Sequence, residues 1–404
     1  MVTVPCLIAV SVLRPSANSY DFTCLVPYKA DLSSSSGHFL ILKPASYSLM
    51  LLALALASAT SAAQEHPLFK SDAVLKAVLT APIAQTYEQR HRDVRLYYPG
   101  QWTYVDDDGE TKRLDVSIRT RGRFRRSYCV LPPLQLNFKK SQVEGTLFTG
   151  QDKLKLVAPC KDDTRHQQYV VLEYLAYRTF EIITEYGFRT RLVRLSYVDR
   201  DDNLEPWTDL TFVIEDDADM ARRLGLERLR LPSIKYKELD HPKAALVQLF
   251  QFLIANNDYS LLKPTIDDDC CHNIDVLGVE DSEDGRVPIP FDFDMSGMVN
   301  AGYAAPPRQV PVRDVRQRYF YGLCLPPEIL SDAISHFQSK RDEIFSLYAN
   351  SAELDDKNKE KSLKYIQEFY DILDSPQQTN REIIDRCRGR NLMEQMLEAE
   401  AATE

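Results

Sequence analysis

The chain has 404 residues, 44 % of them hydrophobic and 27 % charged, and a formal net charge of −10 at pH 7. That balance suits one large or two smaller globular domains and excludes a disordered chain. The acidic excess excludes a general nucleic-acid or anionic-membrane binder, because no basic surplus is available to release counterions from phosphates.

Residues 1–63 read as a leader. A short apolar block, 51–59 (LLALALASA), runs into Thr60-Ser61-Ala62-Ala63, small residues suited to signal-peptidase cleavage. A run this short cannot span a bilayer, so an exported protein, periplasmic or extracellular and without a stable membrane span, is expected. Cleavage near Ala63 would remove Cys6 and Cys24 and leave Cys129, Cys160, Cys270, Cys271, Cys324 and Cys387. Six cysteines in an oxidising compartment permit up to three disulfides. The adjacent Cys270 and Cys271 are expected to reach elsewhere, since a bond between neighbours closes a strained ring. A zinc site made with His272 is the rival, although the spacing matches no usual ligand pair.

The mature chain opens with an apolar segment at 67–81. Turns at 97–100 (YYPG) and 106–109 (DDDG) flank strand candidates at 101–105 and 114–120, the second alternating Leu114, Val116 and Ile118 with polar residues. An antiparallel sheet follows from this pattern. Arg119-Thr120-Arg121-Gly122-Arg123-Phe124-Arg125-Arg126 is the strongly basic cluster, either a phosphate-holding turn or a solvated hairpin tip. Further strands are expected around Leu134, Leu136 and Phe138, at 153–157, at 190–197 and at 211–214. Lys153 and Lys155 share a side because side chains repeat every second residue. The first long helix is expected from about 164 to 184, capped by Asp162, Asp163 or Thr164, with Glu173 amid its apolar residues.

From Ala218 the composition turns helical. Residues 243–255 (KAALVQLFQFLIA) are apolar nearly all round and demand deep burial. Helices are also expected at 326–349, 355–373 and 379–397. Between these lies the polar stretch 253–303, containing Asn256-Asn257-Asp258, Asp267-Asp268-Asp269-Cys270-Cys271-His272-Asn273 and Pro290-Phe291-Asp292-Phe293-Asp294-Met295-Ser296-Gly297. Carboxylates and amides set among apolar neighbours need a hydrogen-bonding or metal partner once desolvated, so this stretch is the candidate site.

Strands with one helix, then helices carrying a carboxylate-rich insertion, are the layout of a two-lobed phosphotransferase. The Arg121-Gly122 turn, the Asn257-Asp258 pair and the Pro290–Asp294 segment resemble the CotH-like atypical protein kinases, and more closely a group of exported bacterial proteins sharing the DCCHN and PxDFDxSG segments. The resemblance covers about Val116 to Tyr303. It implies an α+β, two-lobed protein-kinase-like fold, with a strand-rich N-terminal lobe at 64–217 and a mostly helical C-terminal lobe at 218–404. It implies transfer of phosphate from a nucleotide to a protein or small-molecule hydroxyl, with Mg2+ and ATP as cofactors and a monomeric chain. Asp258 would accept the hydroxyl proton. Asn273 and Asp292, or Asp294 in its place, would hold magnesium. Lys155 or Lys153 would face the phosphates and pair with Glu173. Arg121, Gly122 and Arg123 would lie over the nucleotide, and Glu215 would form the hinge beside the adenine.

The chain departs from the family pattern in two ways. Fourteen residues, Tyr259 to His272, separate Asp258 from Asn273, so their pairing requires an excursion of the chain, and the G-x-G-x-x-G loop is absent. Two other classes stay open. Asp267, Asp268, Asp269, Asp292 and Asp294 could gather around calcium in a binding module. Asp258, His272, Asp292 and Asp294 could instead serve a metal-dependent hydrolase.

Overall fold

The computed structural model describes residues 66–106, 108–263 and 270–402. The leader at 1–63 and the run Asp267–Asp269 lie outside the described residues. Strands β1 (Leu75–Ala81), β2 (Tyr98–Val105), β3 (Thr111–Thr120), β4 (Leu134–Phe138), β5 (Lys153–Val157), β6 (Thr190–Asp199) and β7 (Trp207–Ile214) make one sheet. Alternation decides which face is buried: Leu114, Val116 and Ile118 of β3 and Leu134, Leu136 and Phe138 of β4 point inward. They meet Trp102 of β2 and Phe148, whose rings lie 5.9 Å apart, edge to face.

The sheet closes on itself, and this overturns the expected two-lobed kinase-like fold. Strand order is β1-β2-β3-β4-β5-β7-β6, and β1 returns to pair in parallel with β6, from Leu75 opposite Val193 to Ala81 opposite Asp199. The result is a closed seven-stranded barrel with mixed helical and strand content around it, and the described residues all belong to one compact unit. The physical cause is β1. Its Leu75, Ala77, Leu79 and Ala81 all turn into the barrel, so the segment spends its apolar face on closing an edge.

Among the helices of the described residues are α1 (Phe124–Tyr128), α2 (Thr164–Ile183), α3 (Asp217–Arg223), α4 (His241–Leu253), α5 (Pro327–Ser339), α6 (Arg341–Ala349), α7 (Asp356–Leu373) and α8 (Arg390–Ala401), beside short helical turns at Ile83–Glu88, Lys140–Val143 and Pro376–Thr379. The long α2 starts where the Asp163 side chain accepts the His166 N–H, and α4 starts in the same way at Asp240, which accepts from Lys243. Outside the barrel, Leu192, Leu210, Phe212 and Ile214 of β6 and β7 join a second apolar core containing α2 and α4. Tyr174 and Tyr177 of α2 bring their rings within 6.0 and 5.8 Å of Phe212.

A three-stranded sheet, β8 (Glu227–Leu229), β9 (Ile274–Gly278) and β10 (Val287–Pro290), is ordered β10-β9-β8. Its antiparallel register sets Pro290 opposite Ile274, so the residues just before β9 and just after β10 emerge side by side. Cys129 bonds to Cys160 and Cys324 to Cys387. Cys270 and Cys271 are joined to each other, across a cis peptide, contrary to the expectation that each reaches elsewhere. No described helix is long and apolar enough to cross a membrane.

Candidate functional site

The register of β9 against β10 puts Asn273 beside Phe291, and the Phe291 N–H donates to the Asn273 carbonyl over 3.1 Å. The chain beyond Phe291 is stitched to the end of α4: the N–H groups of Gly297 and Met298 donate to Ala255 and Ile254 at 3.1 and 3.0 Å. These backbone bonds draw three distant segments around one cleft of about 500 Å3. Arg121, Gly122, Asp258, Asn273, Asp292 and Asp294 all line it.

Asp258 and Asn273 meet despite the fourteen residues between them. Asn273 Nδ2 donates to the Asp258 carbonyl at 2.8 Å and to Asp258 Oδ2 at 3.1 Å, while His272 Nε2 lies 2.8 Å from Asp258 Oδ1. Both Asp258 oxygens are engaged, which fixes the carboxylate's direction. Asn273 and Asp292 hold left-handed backbone angles, φ of 51° and 61°, a costly state for residues other than glycine and one that clusters at functional sites. The Asp292 N–H donates to the Tyr177 hydroxyl at 2.9 Å, one of the contacts that hold it there.

Arg125, on α1, organises the acidic side of the cleft. Its Nη1 and Nη2 grip Glu173 at 2.8 and 3.0 Å, Nη2 also reaches Asp292 at 2.8 Å, and Nε lies 3.3 Å from Asp294. One buried guanidinium thus serves three carboxylates. Burial alone would lower the Arg125 pKa, but the charges of Asp294, Glu173 and Asp292 hold it well above its ordinary value. Burial pushes Asp294 up to about 8 against the pull of Arg125, with Asp292 adding repulsion. Glu173 is raised for the same first reason.

Two expectations fail here. Neither Lys155 nor Lys153 pairs with Glu173, because α1 turns Arg125 inward beneath α2 and takes that carboxylate. Lys155 instead bonds Asp217 at the start of α3, and Lys153 is exposed on the outer face of β5. Glu215 is not beside the cleft: it is fully buried, and its carboxylate accepts from Arg223 at 3.0 and 3.1 Å and from the Arg189 N–H at 3.2 Å. A carboxylate so completely engaged has no role left as a hinge contact.

The opposite wall is also ionic. Arg228 bonds Asp275 at 2.6 Å and Asp217 at 3.1 Å, and Arg230 lines the cleft beside it. Burial lowers the Arg121 pKa, with Asp292 acting to raise it. At the rim, Phe124 stacks on Tyr128 at 5.1 Å and both lie within 5.7 Å of Tyr303. In the sequence Arg125 is one of several arginines in Arg119–Arg126, and Phe124 stands among them without a signal of its own. Only the turn of α1 separates Arg125 from Arg123 and Arg126, and no spacing in Arg119–Arg126 signals it.

Zinc on Cys270 and Cys271 does not fit sulfurs already bonded to one another. Among the described residues, no group of three His, Cys, Asp or Glu side chains is placed to hold a metal. Magnesium, however, is ordinarily held by one or two carboxylates together with substrate phosphates and water. Of the two cleft aspartates, Asp292 keeps 45 % of its side-chain exposure although its Oδ1 accepts from Arg125, whereas Asp294, at 4 % and held by Arg125 and Tyr303, is closed off. Compared with known proteins, the chain matches no family model and no curated protein.

Proposed function

We propose that the cleft transfers a phosphoryl group from a nucleotide to a hydroxyl acceptor, as the CotH-like segments imply, within an architecture built on a closed barrel. The observation that carries this reading is the convergence of Asp258, Asn273 and Asp292 in one arginine-lined cleft. Phosphoryl transfer asks a protein mainly for positioning and charge neutralisation. Arg121 and Arg123 offer planar donor forks suited to phosphate oxygens, and Phe124 offers an exposed ring on which a base can stack. Asp258, fixed by His272 and Asn273, accepts the proton of the acceptor hydroxyl as its oxygen bonds the terminal phosphorus and the bond to the leaving diphosphate breaks. Magnesium, when bound through Asp292 and Asn273, would neutralise charge on the phosphates. Arg125, 2.8 Å from Asp292, holds that side chain in place.

The test is thermal stability of the purified chain with and without magnesium and ATP, beside release of phosphate from ATP. The wild type is expected to gain stability from magnesium and ATP together, and Asp292→Ala to lose that gain. Asp258→Asn should keep the gain while turnover falls by at least about 100-fold, the low end of what general-base catalysis supplies. A wild-type chain indifferent to nucleotide sinks the proposal.

A further inference from the structure

A second cavity, of about 440 Å3, opens where the start of α2 meets the start of α7 and the chain around Met298–Asn300. None of the residues discussed in the cleft lines it. Four basic side chains do, Arg165, Arg316, Lys357 and Lys361, against the single carboxylate of Asp355. That carboxylate is already committed: Oδ1 accepts the Asn358 N–H at 2.7 Å and Oδ2 the Asn358 side-chain amide at 2.9 Å, capping α7. No carboxylate among the described residues lies within ion-pair distance of any of the four cations. In a chain carrying ten net negative charges, four cations gathered around one hollow, with no ion pair to any of them among the described residues, give it a local positive potential that favours an anion.

The frame is built rather than loose. Gln168 of α2 ties the two helices together, accepting from the Asp355 N–H at 2.9 Å and donating to the Glu353 carbonyl at 3.0 Å. The Arg316 guanidinium lies 4.6 Å over the ring of buried Tyr365, whose hydroxyl donates to the Arg316 carbonyl at 2.7 Å. The first turns of α2 and α7, helices of 20 and 18 residues, add the positive ends of their dipoles.

We propose that this cavity binds a small phosphorylated molecule, its phosphate held by Arg165, Arg316 and Lys361 and its hydroxyls by Gln168, Asn300 and Ser362. The volume falls in the range of small-molecule sites, and the lining mixes these polar groups with Leu172, Met298 and Val299, which suits a small body bearing both hydroxyls and an apolar face. This site stands independently of phosphoryl transfer in the cleft.

Calorimetric titration of the full chain with pyrophosphate, at constant ionic strength and without magnesium or nucleotide, tests it. The wild type is expected to bind pyrophosphate at a site that matched chloride does not displace and that is retained when the cleft arginines are replaced. Arg165→Gln/Lys361→Gln should weaken binding at least about tenfold, the loss of two charge-assisted contacts, while Arg121→Ala/Arg228→Ala in the cleft leaves it unchanged. Absence of binding, equal competition by chloride, or loss confined to the cleft variant would each overturn the proposal. Should the double variant fail to fold, Lys361→Gln alone, on an exposed helical position, reads the same contact, and wild-type affinity in that variant overturns it as well.

Discussion

At the scale of single residues the molecule's character is concentrated in Arg125. Replacing it with methionine would leave Glu173, Asp292 and Asp294 facing one another without a cation. Breaking a buried pair in this way costs about 3–5 kcal/mol, so urea unfolding at neutral pH should show Arg125→Met destabilised by that order. The deficit should shrink as the pH falls, because protonating the carboxylates removes the repulsion that the arginine had offset. Asp294 makes its own contribution to pH dependence. Its folded pKa of about 8 lies above the ordinary 3.8, so the folded state holds a proton that the unfolded state has released between those values. The stabilisation is fully present below about pH 4 and is lost as pH rises through about 8. Unfolding midpoints measured from pH 4 to pH 9 should therefore show this fall in the wild type and a flatter profile in Asp294→Asn. Asp258, Asn273 and Asp292 were legible in the sequence because polar side chains stood among apolar ones. Arg125 was not, because nothing local separates an arginine that turns inward from the four other arginines of the same short run.

At the scale of elements, most strands and the helices α2, α4 and α7 follow from side-chain period, whereas the run expected at 326–349 is two helices, α5 and α6, and that expected at 379–397 is interrupted before α8 begins at Arg390. The alternation at 114–120 lies within β3, and the apolar run at 243–255 overlaps α4, buried nearly all round. What period could not supply was partnership. The segment 67–81 is merely apolar as a sequence, and its role as the closing strand depends on β6, more than a hundred residues later. Gly100 of β2 marks how closely β1 packs on its other neighbour: a Cβ placed there would stand 2.7 Å from the Ala81 Cβ and 2.8 Å from the Thr80 carbonyl oxygen of β1. Gly100→Ala is expected to destabilise the chain by about 1–3 kcal/mol, the usual cost of overpacking. Denaturant midpoints check this, and a neutral result would mean that β1 packs less tightly on β2 than the register indicates.

At the scale of the whole molecule, covalent links and register decide which distant segments meet. The bond between Cys129 and Cys160 closes 31 residues and ties the end of α1 to the loop before α2; that between Cys324 and Cys387 closes 63. Losing either by paired serine substitution should cost about 2–4 kcal/mol, seen as a lower thermal midpoint that reducing agent does not lower as far as in the wild type. Composition and local pattern by themselves determined a globular chain of strands and helices, a disulfide-bearing class, and a polar stretch at 253–303 as the candidate site, because each is a property of neighbours along the chain. Barrel closure, the return of Asn273 to Asp258, the capture of Glu173 by Arg125 and the cationic cavity between α2 and α7 were decided only in three dimensions. The reason is physical: hydrogen-bond register and charge pairing act over ångströms in space, and the residues they join here lie from fifteen to nearly two hundred positions apart.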